Sequence, residues 1–387
     1  MKTCRYRSAL KRMEEENRSR FLRETHLEGR EIVCDGKRMV NLASNDYMGI
    51  AGEESLWQDF LKQETARDDF GGSVCSSRLL TGNSPDAVAL ENELRTMYGA
   101  SGALIFNSGY HANLGILPAI STGADLILSD KLIHASLIDG IRLSPAKHLR
   151  FPHNDLDCLA AILKKRRSDF DRVFIVTESI FSMDGDCADL ARLVSLKEKY
   201  DALLYLDEAH AVGVRGPCGL GLAEEEGVLE QIDFLVGTFG KAYASQGAFV
   251  IADKVMCDYL VNTMRPLIFS TALPPLSLRW TRRVLQYLAG EKERRTYLQK
   301  LSAALRRGLV DAGLETGGGS HIVPLMVRDN ARAIQFSRFL CDNGFFVLPI
   351  RAPSVPAGKE RLRISLHAGL TTAQIETFSS LCKQFGH

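Results

Sequence analysis

Two residues have types and spacing that invite chemistry, Asp207 and Lys241. Asp207 ends the apolar run Ala202–Leu206 and opens Asp207-Glu208-Ala209-His210. Such a run reads as a buried strand with a carboxylate at its carboxyl end. Open α/β sheets bind ligands at that end. Lys241 stands in Gly237-Thr238-Phe239-Gly240-Lys241-Ala242, after a second apolar run, Asp233–Val236. Its small neighbours leave the amine room for covalent work on a carbonyl. The spacing fits two neighbouring strands ending at one cleft. An aspartate facing a pyridinium nitrogen and a lysine forming a Schiff base are what pyridoxal phosphate (PLP) asks of a protein. Each has a plainer reading alone, since strand-end aspartates cap helices and most lysines are solvated charges.

Other strand ends add to this pair. The run 102–107 leads into Ser108-Gly109-Tyr110, a strand-to-helix turn. Free backbone N–H groups and the helix dipole suit a phosphate there, although every such turn shares that geometry. His134 follows the run 125–129 and could stack on a flat ring or serve the structure. Glu178 and Ser182 follow the run 172–178, and His210 and Thr238 sit beside Asp207 and Lys241. The convergence on one rim outweighs any single residue. Gly237–Lys241 is not a P-loop, and no dinucleotide fingerprint occurs. Arg351 and Arg363 lie among short strands near the end, where a guanidinium could hold a carboxylate or simply face solvent.

The elements that must position these residues alternate. Strands are expected at 102–107, 125–129, 147–151, 172–178, 202–206, 233–237 and 247–252, with helices between most of them. That pattern predicts a mainly parallel sheet covered on both faces. Ser84-Pro85 should start a helix and Gly99 end it. The small, polar stretch 69–83 reads as a loop that lets other groups approach closely. Residues 5–27 read as a charged helix marked by Leu10, Met13, Phe21 and Leu22. Asp35-Gly36 should turn a hairpin over 31–42. After about residue 285 the texture shifts to a long charged helix, short strands and two more helices. The expected division is 1–45, packing on the small domain; 46–285, the large domain; and 286–387, a smaller α+β domain.

Composition excludes several classes. The 387 residues are 45% hydrophobic and 25% charged, with net charge +1. That gives no footprint for nucleic acid. No apolar run approaches membrane-spanning length. Nine scattered cysteines form no C-x-x-C pair. With no secretory leader in front of them, they read as reduced thiols of a cytoplasmic protein, not as a disulfide or metal framework.

Taken together, Asn45-Asp46-Tyr47, Ser76–Asn83, Ser108-Gly109-Tyr110, His134–Leu137, Phe181–Asp186, Asp207–His210, Thr238–Lys241 and Arg361-Leu362-Arg363 resemble the α-oxoamine synthases. The likeness runs over roughly residues 18–385, and the Arg78–Asn83 run favours the branch that serves biotin synthesis. The resemblance implies α/β architecture of PLP-dependent transferase fold type I, aspartate aminotransferase-like. It implies decarboxylative condensation of L-alanine with a pimeloyl thioester, carried by carrier protein or coenzyme A. By the same resemblance Lys241 is the Schiff-base lysine, Asp207 the partner of the ring nitrogen and His134 the stacking ring. Ser182 and His210 contact the ring and its O3′ oxygen, Thr238 the phosphate, and Gly109 and Tyr110 form the cofactor-holding turn. Arg20, with Arg18 as the alternative, faces substrate together with Asn45, His134, Ser354 and Arg363. Arg351-Ala352-Pro353-Ser354 departs from the more usual Arg-Pro-Pro-Thr, which bears on acyl-chain preference. A homodimer is implied as well. The rival readings are a glycine-dependent 2-amino-3-ketobutyrate ligase, a serine palmitoyltransferase-like enzyme, and a non-catalytic partner subunit of the same fold.

Overall fold

A computed structural model describes residues 3–69 and 71–386. Phe70, within the stretch read as a loop, lies outside the described residues. The seven apolar runs fold as the strands β1 (Gly102–Phe106), β2 (Leu126–Asp130), β3 (Lys147–Phe151), β4 (Val173–Glu178), β5 (Leu203–Asp207), β6 (Phe234–Thr238) and β7 (Ala248–Ala252). They form one sheet in the order β1-β7-β6-β5-β4-β2-β3. Only β7 runs against its neighbours, pairing antiparallel with β1 and β6. β1, β2, β4, β6 and β7 are buried along their whole length. That is why they read as continuous apolar runs and not as alternating ones. β3, at the edge, is partly exposed.

Helices cover the sheet. Helix α1 (Gly109–Ile120) follows β1, and α2 (Ala135–Leu143) follows β2. Their apolar faces join the core with Ile116, Leu117, Leu137 and Ile141 against Phe174, Val176 and Val236. α1 and α2 approach closely at Gly140, where a Cβ would overlap the backbone oxygen of Asn113. The helix Pro85–Tyr98 begins as expected. The Ser84 hydroxyl accepts the Ala87 N–H, Pro85 takes the first position, and Gly99 closes it in the left-handed region.

The chain divides into two compact units. The larger is Ser55–Ser182 with Cys187–Arg295. The other comprises the chain up to Glu54, Met183–Asp186 and the chain from Thr296 onward. The sequence boundaries at 45 and 285 therefore fall nine and ten residues short of the observed ones, and the excursion 183–186 has no counterpart in that division. Within the smaller unit, Lys37–Asn41 pairs with Glu31–Cys34 across the Asp35-Gly36 turn, and Val40 and Asn41 pair in parallel with Phe345 and Phe346. A second small sheet joins Ile322–Met326, Arg361–Ser365 and Pro349–Ile350.

Two expectations need correction. The helix read over 5–27 covers only Cys4–Glu15, and it buries none of its residues. Asn17 turns the chain at φ 52°, and Thr25–Glu28 becomes a strand paired with Glu31–Cys34. Leu10, Met13, Phe21 and Leu22 are exposed, so they mark no buried face. Within the loop 69–83, Arg78–Gly82 winds into one turn of π-helix.

Candidate active site

The carboxyl ends of β4, β5 and β6 meet the first turns of α1 and α2 around one cavity of about 160 Å3. Gly109, Tyr110, His134, Asp207, His210, Thr238 and Lys241 all line it. Ser182 does not. It is half-buried, four residues beyond the end of β4.

Asp207 is buried, and both its oxygens are held. Oδ2 accepts from the Asn113 amide at 2.7 Å, and Oδ1 accepts the Ala209 N–H at 2.9 Å. Two donors fix the plane of a carboxylate that water would otherwise let rotate. Lys241 lies in the tight connection between β6 and β7, and its Nζ stands 2.9 Å from His210 Nε2. The connection is braced by the Phe239 N–H donating to Gly247 and by the Thr238 hydroxyl donating to the same carbonyl. Thr238 Oγ1 also accepts the Gly240 N–H at 3.2 Å.

Gly109 and Tyr110 open α1, where the first backbone N–H groups have no intrahelical acceptor. Ser108 caps this end by accepting the His111 N–H. His134 caps α2, and its Nδ1 lies 2.7 Å from Ser136 Oγ. Burial holds the His134 imidazole below its ordinary range, opposed by the nearby Asp207 charge. Glu178 is fully buried beside Asp207, with one oxygen that has no hydrogen-bond partner. Burial first, and the Asp207 charge second, push its carboxyl well above the usual range. Glu208 serves a structural end. It accepts from Ser179 Oγ at 2.5 Å and from the N–H groups of Leu222 and Ala223, and burial pushes its carboxyl up to about 7.

The remaining candidates belong to the smaller unit. Arg363 donates to Asn45 Oδ1 at 3.2 Å, to the Tyr47 hydroxyl at 3.2 Å and to Ser365 Oγ at 2.6 Å. Arg20 donates to Ser354 Oγ at 2.5 Å, whereas Arg18 turns to Glu16 at 2.6 Å. A cavity of about 470 Å3 joins Arg20, Arg23, Arg351 and Ser354 to the apolar side chains of Phe346, Leu348 and Ile350.

Asn113 and Ser136 were not singled out from the sequence, although they touch Asp207 and His134. Asn113 left one signal, as a lone amide in the otherwise apolar stretch after Ala112. Ser136 left none beyond its place in the His134–Leu137 run.

The donor set fits PLP. It offers a held carboxylate, an amine within the same cavity, and unpaired N–H groups at a helix start. Among the described residues no group of His, Cys, Asp and Glu is placed to hold a metal ion.

Residues 37–380 match the aminotransferase class I and II family. An 8-amino-7-oxononanoate synthase from Chlorobaculum parvum is 48% identical over 95% of this chain and 95% of its own. Among solved structures, a serine palmitoyltransferase variant from S. paucimobilis with bound PLP is 30% identical. It covers 100% of this chain and 97% of its own, with a TM-score of 0.89. An 8-amino-7-oxononanoate synthase from Francisella tularensis is 27% identical over 89% of this chain and 97% of its own, with a TM-score of 0.75.

Proposed function

The chain belongs to the aminotransferase class I and II family and, within it, to the 8-amino-7-oxononanoate synthases; from that premise we propose how its residues divide the work. The reaction is the PLP-dependent condensation of L-alanine with a pimeloyl thioester in biotin synthesis. It yields 8-amino-7-oxononanoate, carbon dioxide and the free thiol. When bound, PLP supplies a carbonyl for the amino nitrogen and a ring that withdraws the electron pair released at alanine Cα.

Lys241 would hold the cofactor through its amine, and the same amine is placed to take the proton from the Cα of alanine. Asp207, its oxygens fixed by Asn113 and Ala209, keeps a proton on the ring nitrogen. His134 would stack on the ring, and His210, 2.9 Å from the Lys241 amine, would contact the ring oxygen. Gly109, Tyr110 and Thr238 hold the phosphate. Ser182 is assigned to the ring oxygen by resemblance alone. By resemblance, Arg363 with Asn45, and Arg20 with Ser354, would face substrate. The partners are L-alanine and a pimeloyl thioester on carrier protein or coenzyme A, with no nucleic acid and no membrane. The protein works in the cytoplasm as a homodimer.

The observation that carries this reading is that Asp207 and Lys241 line one cavity, with the carboxylate immobilised on both oxygens. The test supplies alanine, glycine or serine with pimeloyl thioester and follows the product by mass. Alanine alone should be condensed, with loss of carbon dioxide. Preferred use of glycine or serine would transfer the chain to a sibling reaction. No turnover with any donor, in protein that binds PLP, would favour a non-catalytic subunit.

A further inference from the structure

A directed chain of hydrogen bonds runs beside the cavity. Tyr205 is fully buried in β5, and its hydroxyl donates to Asn113 Oδ1 at 2.8 Å. The Asn113 amide nitrogen donates to Asp207 Oδ2 at 2.7 Å and to Ser136 Oγ at 3.0 Å. The amide cannot be turned over, because its oxygen would then face the Asp207 carboxylate, acceptor against acceptor. Ser136 Oγ, having accepted from Asn113, has one hydrogen to give. His134 Nδ1 lies 2.7 Å away and receives it. The Ser136 backbone N–H reaches the same nitrogen at 3.2 Å. A ring nitrogen that accepts two donors carries no proton.

We propose that Asn113 is a positioning residue that couples the Asp207 carboxylate to His134 through Ser136, fixing His134 as the neutral tautomer with its proton on Nε2. His134 then offers an N–H donor as its remaining polar atom. Such a donor suits a carbonyl or carboxylate oxygen and does not suit a cation. The chain also links the two groups assigned to the ring nitrogen and the ring face, and in that respect it rests on the functional reading above. The charged and titratable groups facing His134 agree with a neutral ring. Asp207 and Asp139 favour its protonation, while Lys241 and burial, the largest influence, oppose it. Its backbone N–H is taken by Glu178.

The test is nuclear magnetic resonance of the cofactor-free protein with 15N-labelled histidine, with the His134 signals assigned by their loss in His134→Gln. The wild type should show the neutral Nε2–H form at neutral pH. Ser136→Ala, which removes only the hydroxyl, should give a mixture of tautomers. Asn113→Leu should do the same and weaken PLP binding about tenfold or more, as expected for losing a hydrogen bond to a charged group. A role confined to packing would lower stability without moving the tautomer. A wild-type Nδ1–H form, an imidazolium at neutral pH, or the wild-type tautomer in either folded variant would each overturn the proposal. If Asn113→Leu does not fold, Ser136→Ala decides. The spectra need neither cofactor nor substrate, so a protein that binds PLP without condensing alanine leaves this result standing. A wild type that condenses alanine but shows no fixed tautomer sinks the lock alone.

Discussion

Asp207 is held at two oxygens, and most of its value depends on that. A carboxylate free to rotate would have to be ordered during the reaction, whereas this one is ordered beforehand. Asp207→Asn should keep the shape and lose the charge. The expected cost in turnover is about 100-fold or more, in the range measured for other preorganised electrostatic groups. Steady-state rates on PLP-saturated protein check this, and a rate within a few-fold of wild type would sink the assignment.

His367 supplies a second residue-scale prediction. It is buried in the smaller unit beside Arg30, and burial, helped by Arg30, lowers its imidazole from 6.5 to about 4. The unfolded chain therefore binds a proton before the folded one does. Stability is fully present above pH 6.5 and drains away as pH falls toward 4. At full size the effect is about 3 kcal/mol. His367→Asn keeps an acceptor for the Gly369 N–H and removes the titration. Urea unfolding at pH 7 and pH 4.5 should show a smaller acid loss in the variant, and an equal loss in both would refute it.

Asp207 and Lys241 were legible because a charged residue at the end of an apolar run is conspicuous in any sequence. Asn113 and Ser136 were not, because their work is to orient other side chains. An amide or hydroxyl has that role only through what the fold brings within 3 Å of it.

Between elements, the contact to watch is that of α1 with α2. Gly140 lets α2 approach the carbonyl of Asn113 where any Cβ would collide. Gly140→Ala should therefore force the helices apart. His134 and Ser136, at the start of α2, would be drawn from Asn113. The expected destabilisation is about 1–3 kcal/mol, the usual cost of overpacking a core. Thermal unfolding measures it, and the PLP affinity of the variant should fall with it. Unchanged stability and affinity would mean that the helices adjust freely.

Element boundaries were readable where local chemistry settles them. Ser84, Pro85 and Gly99 each act within one turn of their own position. The helix over 5–27 failed because its apolar residues promised a buried face and no core receives them. Charge and apolar spacing cannot reveal whether a partner surface exists, and Asn17 could have continued a helix as easily as ended one.

Across the whole molecule, every residue lining the Lys241 cavity belongs to the larger unit. PLP should therefore stabilise that unit by mass action, by about 2.7 kcal/mol at one hundred times its dissociation constant. Scanning calorimetry with and without PLP should move the larger unit's transition upward. A shift confined to the other unit would count against the cavity. The alternation of strands and helices announced this architecture, because fully buried strands leave uninterrupted apolar runs. The excursion 183–186 was hidden, since nothing local distinguishes four loop residues that join another unit. Gly185 shows its cause only in three dimensions, where its bare backbone lies against the carbonyl of Ile322.

The reversed strand β7 sets a condition on how the protein is made. β1 has β7 as its one sheet neighbour, and Gly102 pairs with Ala252. On the ribosome, β1 leaves the exit tunnel long before that neighbour is synthesised. Through all that interval both edges of an apolar strand are open where the finished sheet leaves one, a template for pairing with the wrong chain. A transcript truncated before Ala248 would release a polypeptide carrying every other strand of the sheet and still lacking the one that shields β1. Such a product should depend on chaperones from birth, and in their absence it should precipitate while the full-length chain stays in solution.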